Sequence, residues 1–217
     1  MRQRITKRKS IVLLSGGLDS TVSATIAKQR TRPLFALTFD YGHRAARMEI
    51  QASRAISEAL SIPHKTVKVP FYRTFKNIPL LRARKKLDAQ RLERLRNIWV
   101  PNRNGLFINI AACYAEYHNV DLIVTGFNRE EAELFPDNTA QFIAAINHAL
   151  MFSTLRNVKV ISFVSDYTKA QIYRLGLRYK APLEHIYSCY LGRTKMCGTC
   201  ASCRRLQKSM HNHAQRS

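Results

Sequence analysis

The stretch Ile11-Val12-Leu13-Leu14-Ser15-Gly16-Gly17-Leu18-Asp19-Ser20 decides how this chain is read. Four apolar residues run into two adjacent glycines, and a helix-forming segment, Thr21 to Arg30, follows. That order predicts strand, glycine turn and helix start. Neighbouring glycines let the backbone come close to a ligand and take dihedrals closed to other residues. The unpaired N–H groups of a helix's first turn, with the Ser15 and Ser20 hydroxyls beside them, suit an anion such as phosphate. The Walker signature G-x-x-x-x-G-K-S/T is absent, so this is a different kind of loop. A plain glycine turn would account for Gly16-Gly17 but not for Asp19 and Ser20 in register with them.

Moving outward, apolar runs and helical patterns alternate. Pro33 to Phe39 is nearly all apolar and suits a buried parallel strand. Asp40-Tyr41-Gly42-His43-Arg44 closes it, at the carboxyl end where α/β sheets place ligands. Arg47 to Ser61 carries apolar residues at helical spacing, and His64 to Val69 alternates as a strand. A helix is expected from Leu106 to Tyr117, a strand from Asp121 to Gly126, a helix from Gln141 to Phe152 and a strand from Val158 to Phe163. Thr168 and Gln171 form a capping-box pattern opening a helix from Lys169 to Tyr179. The expectation is an α/β fold: a doubly wound, five-stranded parallel sheet with the glycine loop at the end of strand one, near mid-sheet. The predicted division is an α/β domain over 10–185 that carries the glycine loop and a small C-terminal subdomain over 186–210 that carries four cysteines.

The chain has 217 residues, with 36 Lys and Arg against 14 Asp and Glu, a formal charge of +22. Such a balance draws polyanions and steers anionic ligands. Nucleic-acid binding is one reading; a general basic bias together with the need to hold ATP is the other. Residues 70–103 are irregular and basic, with Arg82-Ala83-Arg84-Lys85-Lys86 and Arg91 to Arg96 as the densest runs. They read either as a flap over the nucleotide or as a solvated basic helix. The basic start from Arg2 to Lys9 meets only the four apolar residues Ile11 to Leu14, too few for a signal sequence. No apolar run is long enough for a membrane helix. A cytoplasmic protein is expected.

Four of five cysteines crowd near the C-terminus as Cys189-x7-Cys197-x2-Cys200-x2-Cys203. Two overlapping C-x2-C steps wrap one ion in a short turn, and Cys189 closes the sphere from upstream. Four thiolates favour tetrahedral zinc, with an iron–sulfur cluster as the rival. Four ligands leave no open position, which argues for a structural role. Cys113 lies in an apolar helix and is expected to be a small core residue.

The loop, as Ser-Gly-Gly-x-Asp-Ser, resembles the PP-loop of the ATP pyrophosphatases, which grip the pyrophosphate of ATP while a substrate is adenylylated. The loop and the cysteine set together resemble the QueC (ExsB-like) family, which makes 7-cyano-7-deazaguanine from 7-carboxy-7-deazaguanine, ammonia and ATP. The likeness runs from about Ile11 to Leu206. It rests also on Phe39-Asp40-Tyr41-Gly42, Val100-Pro101-x-Arg103-Asn104 with Phe107, Gly126-x-Asn128, Pro136-Asp137 with Phe142, Asp166 with Lys169, and Ser188-Cys189-Tyr190.

The resemblance implies roles. Leu14, Ser15, Gly16, Gly17, Leu18, Asp19, Ser20 and Thr21 would hold ATP, with Mg2+ on its triphosphate. Asp19, Arg103 and Lys169 would be catalytic. Tyr41, Arg103, Asn104, Asn128, Glu131, Phe135 and Asp137 would border the deazapurine acid. Ammonia is the implied amine, a homodimer is allowed, and the basic charge leaves a protein or nucleic-acid acceptor open. Two segments depart from the family. Tyr-Gly-Gln-Arg-His becomes Tyr41-Gly42-His43-Arg44-Ala45, and the glutamate after it, Glu49, comes one residue late. Asp-x-Ser-Gly-Tyr-Pro-Asp-Cys becomes Glu131 to Asn138. Glu131 takes the place of an aspartate expected to read the amino-pyrimidinone edge, and His43 is a candidate general base.

Overall fold

A computed structural model describes residues 7–81 and 95–214. The basic runs 82–86 and 91–94, and so the flap-or-helix question, lie outside the described residues. Five strands, β1 (Lys9–Leu13), β2 (Arg32–Asp40), β3 (His64–Lys68), β4 (Leu122–Thr125) and β5 (Lys159–Ser162), form one sheet in the order β3-β2-β1-β4-β5. Every pairing is parallel. The expected five strands are all present, and β1 is central. The chain winds outward to one edge through β2 and β3, then returns and crosses to the other through β4 and β5. The switch in direction lies at β1, where a crevice opens at the carboxyl ends.

Alternation along the strands explains the layers. Ile11 and Ile123 face one side and pack with Ile108, Ala111, Ala112 and Ala115 of α4 (Arg103–Tyr117) and Leu150 of α6 (Ala140–Ser153). Val12 and Val124 face the other and pack with Ala24 and Ala27 of α1 (Leu18–Arg30) and Ala52 and Ile56 of α2 (Ala46–Ala59). The period-two pleat therefore divides one apolar run between two cores. A third cluster joins Leu18, Val22 and Ile26 of α1 to Ile172 of α7 (Lys169–Arg178) and Leu206 of α8 (Ala201–Ala214).

Helix α1 is buried although it is rich in Ser and Thr. Its hydroxyls are satisfied internally: Thr25 Oγ1 donates to Thr21 O at 2.9 Å, and Ser23 Oγ donates to Thr125 O at 2.6 Å. The capping box at Thr168 and Gln171 forms as expected and opens α7. Cys113 corrects its expectation. It is exposed, because Ile108, Ala111, Ala112 and Ala115 supply the inner face of α4. Between β3 and α4 the described backbone makes short 3-10 turns at Pro70–Thr74 and Pro79–Leu81 and one helical turn, α3 (Leu95–Ile98). Among the described residues no helix is long and apolar enough to cross a membrane.

Candidate active site and metal centre

The glycine loop leaves β1 under restraint. Thr38 Oγ1 and Ser53 Oγ donate to Leu14 O at 2.6 and 3.2 Å. Tyr187 N–H donates to Gly16 O at 2.8 Å. Gly16 has φ +79°, and a Cβ there would lie 2.9 Å from Ala52 Cβ and 3.0 Å from Glu49 O, so only glycine fits. The helical ladder begins with Thr21 N–H donating to Gly17 O at 3.1 Å. The amides of Leu18, Asp19 and Ser20 thus precede the ladder as an anion-binding first turn. Ser15 and Ser20 stand beside them with their hydroxyl oxygens 3.1 Å apart. Gly126, just past β4, presses against this turn; a Cβ there would meet Ser20 N at 2.7 Å.

A row of charges borders the loop. Lys169 Nζ lies 2.5 Å from Asp19 Oδ2 and 3.2 Å from Glu131 Oε1. Burial would lower the Lys169 ammonium's pKa, but the two carboxylates overrule it and hold it above its ordinary value. Glu131 sits below the usual carboxylate range: burial pushes it up, and Lys169 and Arg205 outweigh that. Burial raises Asp19, with Lys169 pulling the other way. Asp19 Oδ1 is buried without a hydrogen-bond partner among the described residues. An orphaned carboxylate oxygen on the glycine loop could hold a cation.

The main cleft, about 240 Å³, joins this end to the start of α4. Ser15, Asp19, Tyr41, Arg103, Asn104 and Glu131 line it, among others. Arg103 Nη1 donates to Tyr41 Oη at 3.4 Å, and its guanidinium sits 5.9 Å from the ring centre. Burial pushes the Tyr41 hydroxyl up to about 12, Arg103 opposing, so the phenol is neutral at pH 7. Asn104 Nδ2 donates to Asp137 O at 3.3 Å. Phe39 stacks on Phe107 with ring centres 4.1 Å apart, which walls the cleft. A second cavity of about 50 Å³ shares Arg103 and Glu131 with the first and adds Trp99, Phe135, Asp137 and Tyr190.

The four sulfurs of Cys189, Cys197, Cys200 and Cys203 all lie within 4.8 Å of one another, a set able to hold a metal ion. Cys197 Sγ and Cys203 Sγ are 3.9 Å apart, close to the roughly 3.8 Å edge of a tetrahedral zinc–thiolate site. The amides of Cys197 and Cys200 donate to Cys189 Sγ and Cys197 Sγ at 3.4 and 3.3 Å, as they would to thiolates. Cys189, Cys200 and Cys203 are buried and share the core that contains Val12 and Leu14. The cysteine unit therefore packs onto the strand that carries the loop.

The sequence matches the family described as "Queuosine biosynthesis protein QueC" over residues 9–214. The chain belongs to the QueC family. It is 44% identical over 209 residues to the 7-cyano-7-deazaguanine synthase of Carboxydothermus hydrogenoformans, covering 93% of this chain and 97% of that one. To the protein of the same name from Methanosarcina barkeri it is 36% identical over 217 residues, covering 94% of each. In fold it is similar to the U34-tRNA thiolase NcsA of Methanococcus maripaludis, with a TM-score of 0.52, 16% identity, and coverage of 96% of this chain and 66% of that one.

The fold brings most of the QueC-like residues together. Asn128 is buried as the cap of α5 (Arg129–Leu134), its Oδ1 accepting from Glu131 N–H at 3.0 Å, while its Nδ2 is buried without a hydrogen-bond partner among the described residues. Phe135 and Asp137 line the second cavity rather than the main cleft. His43 is buried, stacked on Tyr41, with Nε2 2.9 Å from Glu49 Oε2; Glu49, not His43, reaches the cleft. Arg205 was missed by the sequence reading. It looked like part of a basic tail, and its spacing two residues after Cys203 was the only signal.

Proposed function

We propose that this protein converts 7-carboxy-7-deazaguanine and ammonia to 7-cyano-7-deazaguanine with consumption of ATP. One observation carries the reading. A phosphate-binding loop with a charged Asp19–Lys169–Glu131 row opens into the same cleft as the Arg103–Asn104 corner. A carboxylate is a poor electrophile, so the reaction needs ATP to give it a leaving group. The acid's oxygen attacks the α-phosphorus and pyrophosphate departs. Ammonia then attacks the acyl carbon, adenylate leaves, and an amide forms. A second ATP then adenylylates the amide oxygen with release of pyrophosphate, and loss of adenylate carrying that oxygen, with the nitrogen's protons given up, leaves the nitrile.

The protein supplies position and charge for these steps. The first turn of α1, with Ser15 and Ser20, receives the triphosphate. Lys169 turns from its carboxylates to the leaving pyrophosphate. Arg103, held by Tyr41, orients the acid, and Asn104 and Glu131 face the heterocycle. Asp19 would hold Mg2+, which neutralises triphosphate charge. The cysteine set would hold Zn2+ with all four positions filled, as a brace under the loop. Its compactness supports a single ion over a multi-iron cluster, whose ligands stand farther apart. The compartment we assign is the cytoplasm, where thiols stay reduced.

A second reading keeps the activated acid but passes it to an amine on a protein or nucleic acid. The charge of +22 favours it, as does the departure from the family over Glu131 to Asn138. Purified protein with ATP, Mg2+, the deazapurine acid and ammonium, followed by mass spectrometry, separates the two. The nitrile is the expected product. Absence of both amide and nitrile removes the first reading, and a mass addition on a macromolecule would establish the second.

A further inference from the structure

Five side chains form one connected row through the site. Asp19 holds Lys169, Lys169 lies 3.2 Å from Glu131 Oε1, and Arg205 Nη1 lies 3.9 Å from that same oxygen. Arg205 Nη2 in turn donates to Tyr190 Oη at 3.0 Å. One carboxylate oxygen thus faces two cations from opposite elements, α7 and α8. Arg205 lines neither cavity. It reaches the chemistry only through Glu131 and Tyr190.

The geometry points to Arg205 as a positioning residue that frees Lys169 for ATP. Lys169 is shared between two carboxylates, and a triphosphate at the loop is a third claimant on it. If Lys169 turned to the phosphates with no other cation near, Glu131 would be left as a largely buried, unpaired charge, which is strongly unfavourable. Arg205 remains on the same oxygen and takes over. Its own guanidinium is fixed by the Tyr190 hydroxyl. Both partners come from the cysteine unit: Tyr190 follows Cys189, and Arg205 stands two residues after Cys203. The unit that braces the loop therefore also delivers the cation that lets Lys169 move. The inference rests on the proposed function only in taking ATP as the ligand of the glycine loop.

The test is the affinity of metal-loaded protein for Mg–ATP, measured by calorimetry without the second substrate. Arg205→Met, which keeps the apolar stem, should weaken ATP binding on the order of tenfold with metal content and melting temperature near wild type. Arg205→Lys, which keeps the charge, should stay within about threefold of wild type. The double variant Glu131→Gln with Arg205→Met should bind ATP more tightly than Arg205→Met alone, because no carboxylate is left stranded. A merely structural arginine predicts the opposite pattern: loss of stability in the single variant, and additive losses in the double. Unchanged ATP affinity in a folded Arg205→Met, or additivity in the double, overturns the inference. Should Arg205→Met lose metal, Arg205→Lys decides, and a tenfold loss there with full metal also overturns it. Wild-type turnover of the deazapurine acid tests the proposed function separately, so the two can fail independently.

Discussion

The two ends of the cleft are built in different ways. The loop end is made by consecutive residues, Ser15 to Ser20. The other end is assembled by side chains from separate parts of the chain: Tyr41 after β2, Arg103 and Asn104 on α4, Glu131 on α5, and Arg205 behind it on α8. A local loop holds its geometry through glycine dihedrals and hydrogen bonds to its neighbours. An assembled end holds its geometry only while the whole fold does. Lys169 belongs to both, since it touches Asp19 of the loop and Glu131 of the assembled end.

The sharpest way to break the loop while leaving every side chain of the assembled end in place is Asp19→Asn. It keeps shape but removes the carboxylate that pairs with Lys169. Turnover should fall by at least about a hundredfold, the scale of losing one electrostatic group at a reacting centre. The metal held by the cysteine set and the melting temperature should stay near wild type; loss of that metal alongside activity would mean that the loop and the cysteine unit are not separable in this way.

Breaking the brace should act on both ends at once. Cys200→Ser removes a buried ligand from the core shared with Val12 and Leu14. Metal binding is coupled to folding, so stability should drop by more than about 3 kcal/mol, with metal content falling in parallel. Full metal with normal denaturant stability would refute the brace. Gly126→Ala is milder. Its new Cβ meets Ser20 N at 2.7 Å and pushes on the first turn of α1. A cost of about 1–3 kcal/mol is expected, with KM for ATP raised more than KM for the acid.

The smallest effect concerns pH. Glu131 is depressed in the folded state, so it contributes stability that is present above its ordinary value near 4.5 and lost as pH falls through its lower folded value. Asp19 is raised and contributes the opposite slope just above its ordinary range. The difference between wild type and Glu131→Gln isolates the first. In acid denaturation curves below about pH 4.5, the Gln variant should lose less stability than wild type as pH falls. Parallel curves would show that the Lys169 and Arg205 pairing contributes nothing to folding.

Much of this was legible in sequence because it depends on neighbours along the chain. The glycine loop, the capping box at Thr168 and the two C-x2-C steps are short-range patterns, and each takes the form its spacing dictates. Four strands were legible as apolar runs, and β3 as an alternating one. What the residues could not reveal was direction and partnership. Cys113 looked apolar by its neighbours, but the face α4 turns to the sheet is set by Ile108 and the alanines. His43 was a candidate general base at a strand end, and the fold stacks it on Tyr41 beside Glu49. Asn128 also caps α5 through its Oδ1, a second task its sequence position did not reveal.

By itself, then, the chain from Ile11 to Ser20 determined a strand, a glycine turn and a helix start with free first-turn amides, because dihedral freedom and first-turn amides are properties of adjacent residues. That Gly126 would press on that loop, that Tyr187 would pin Gly16, and that one oxygen of Glu131 would be shared by Lys169 and Arg205 was decided only by tertiary structure. The parallel sheet brings α1, α7 and α8 to one crevice across more than a hundred residues of chain. Coulomb and hydrogen-bond forces act over a few ångströms, so the charges could become partners only once packing had placed them there.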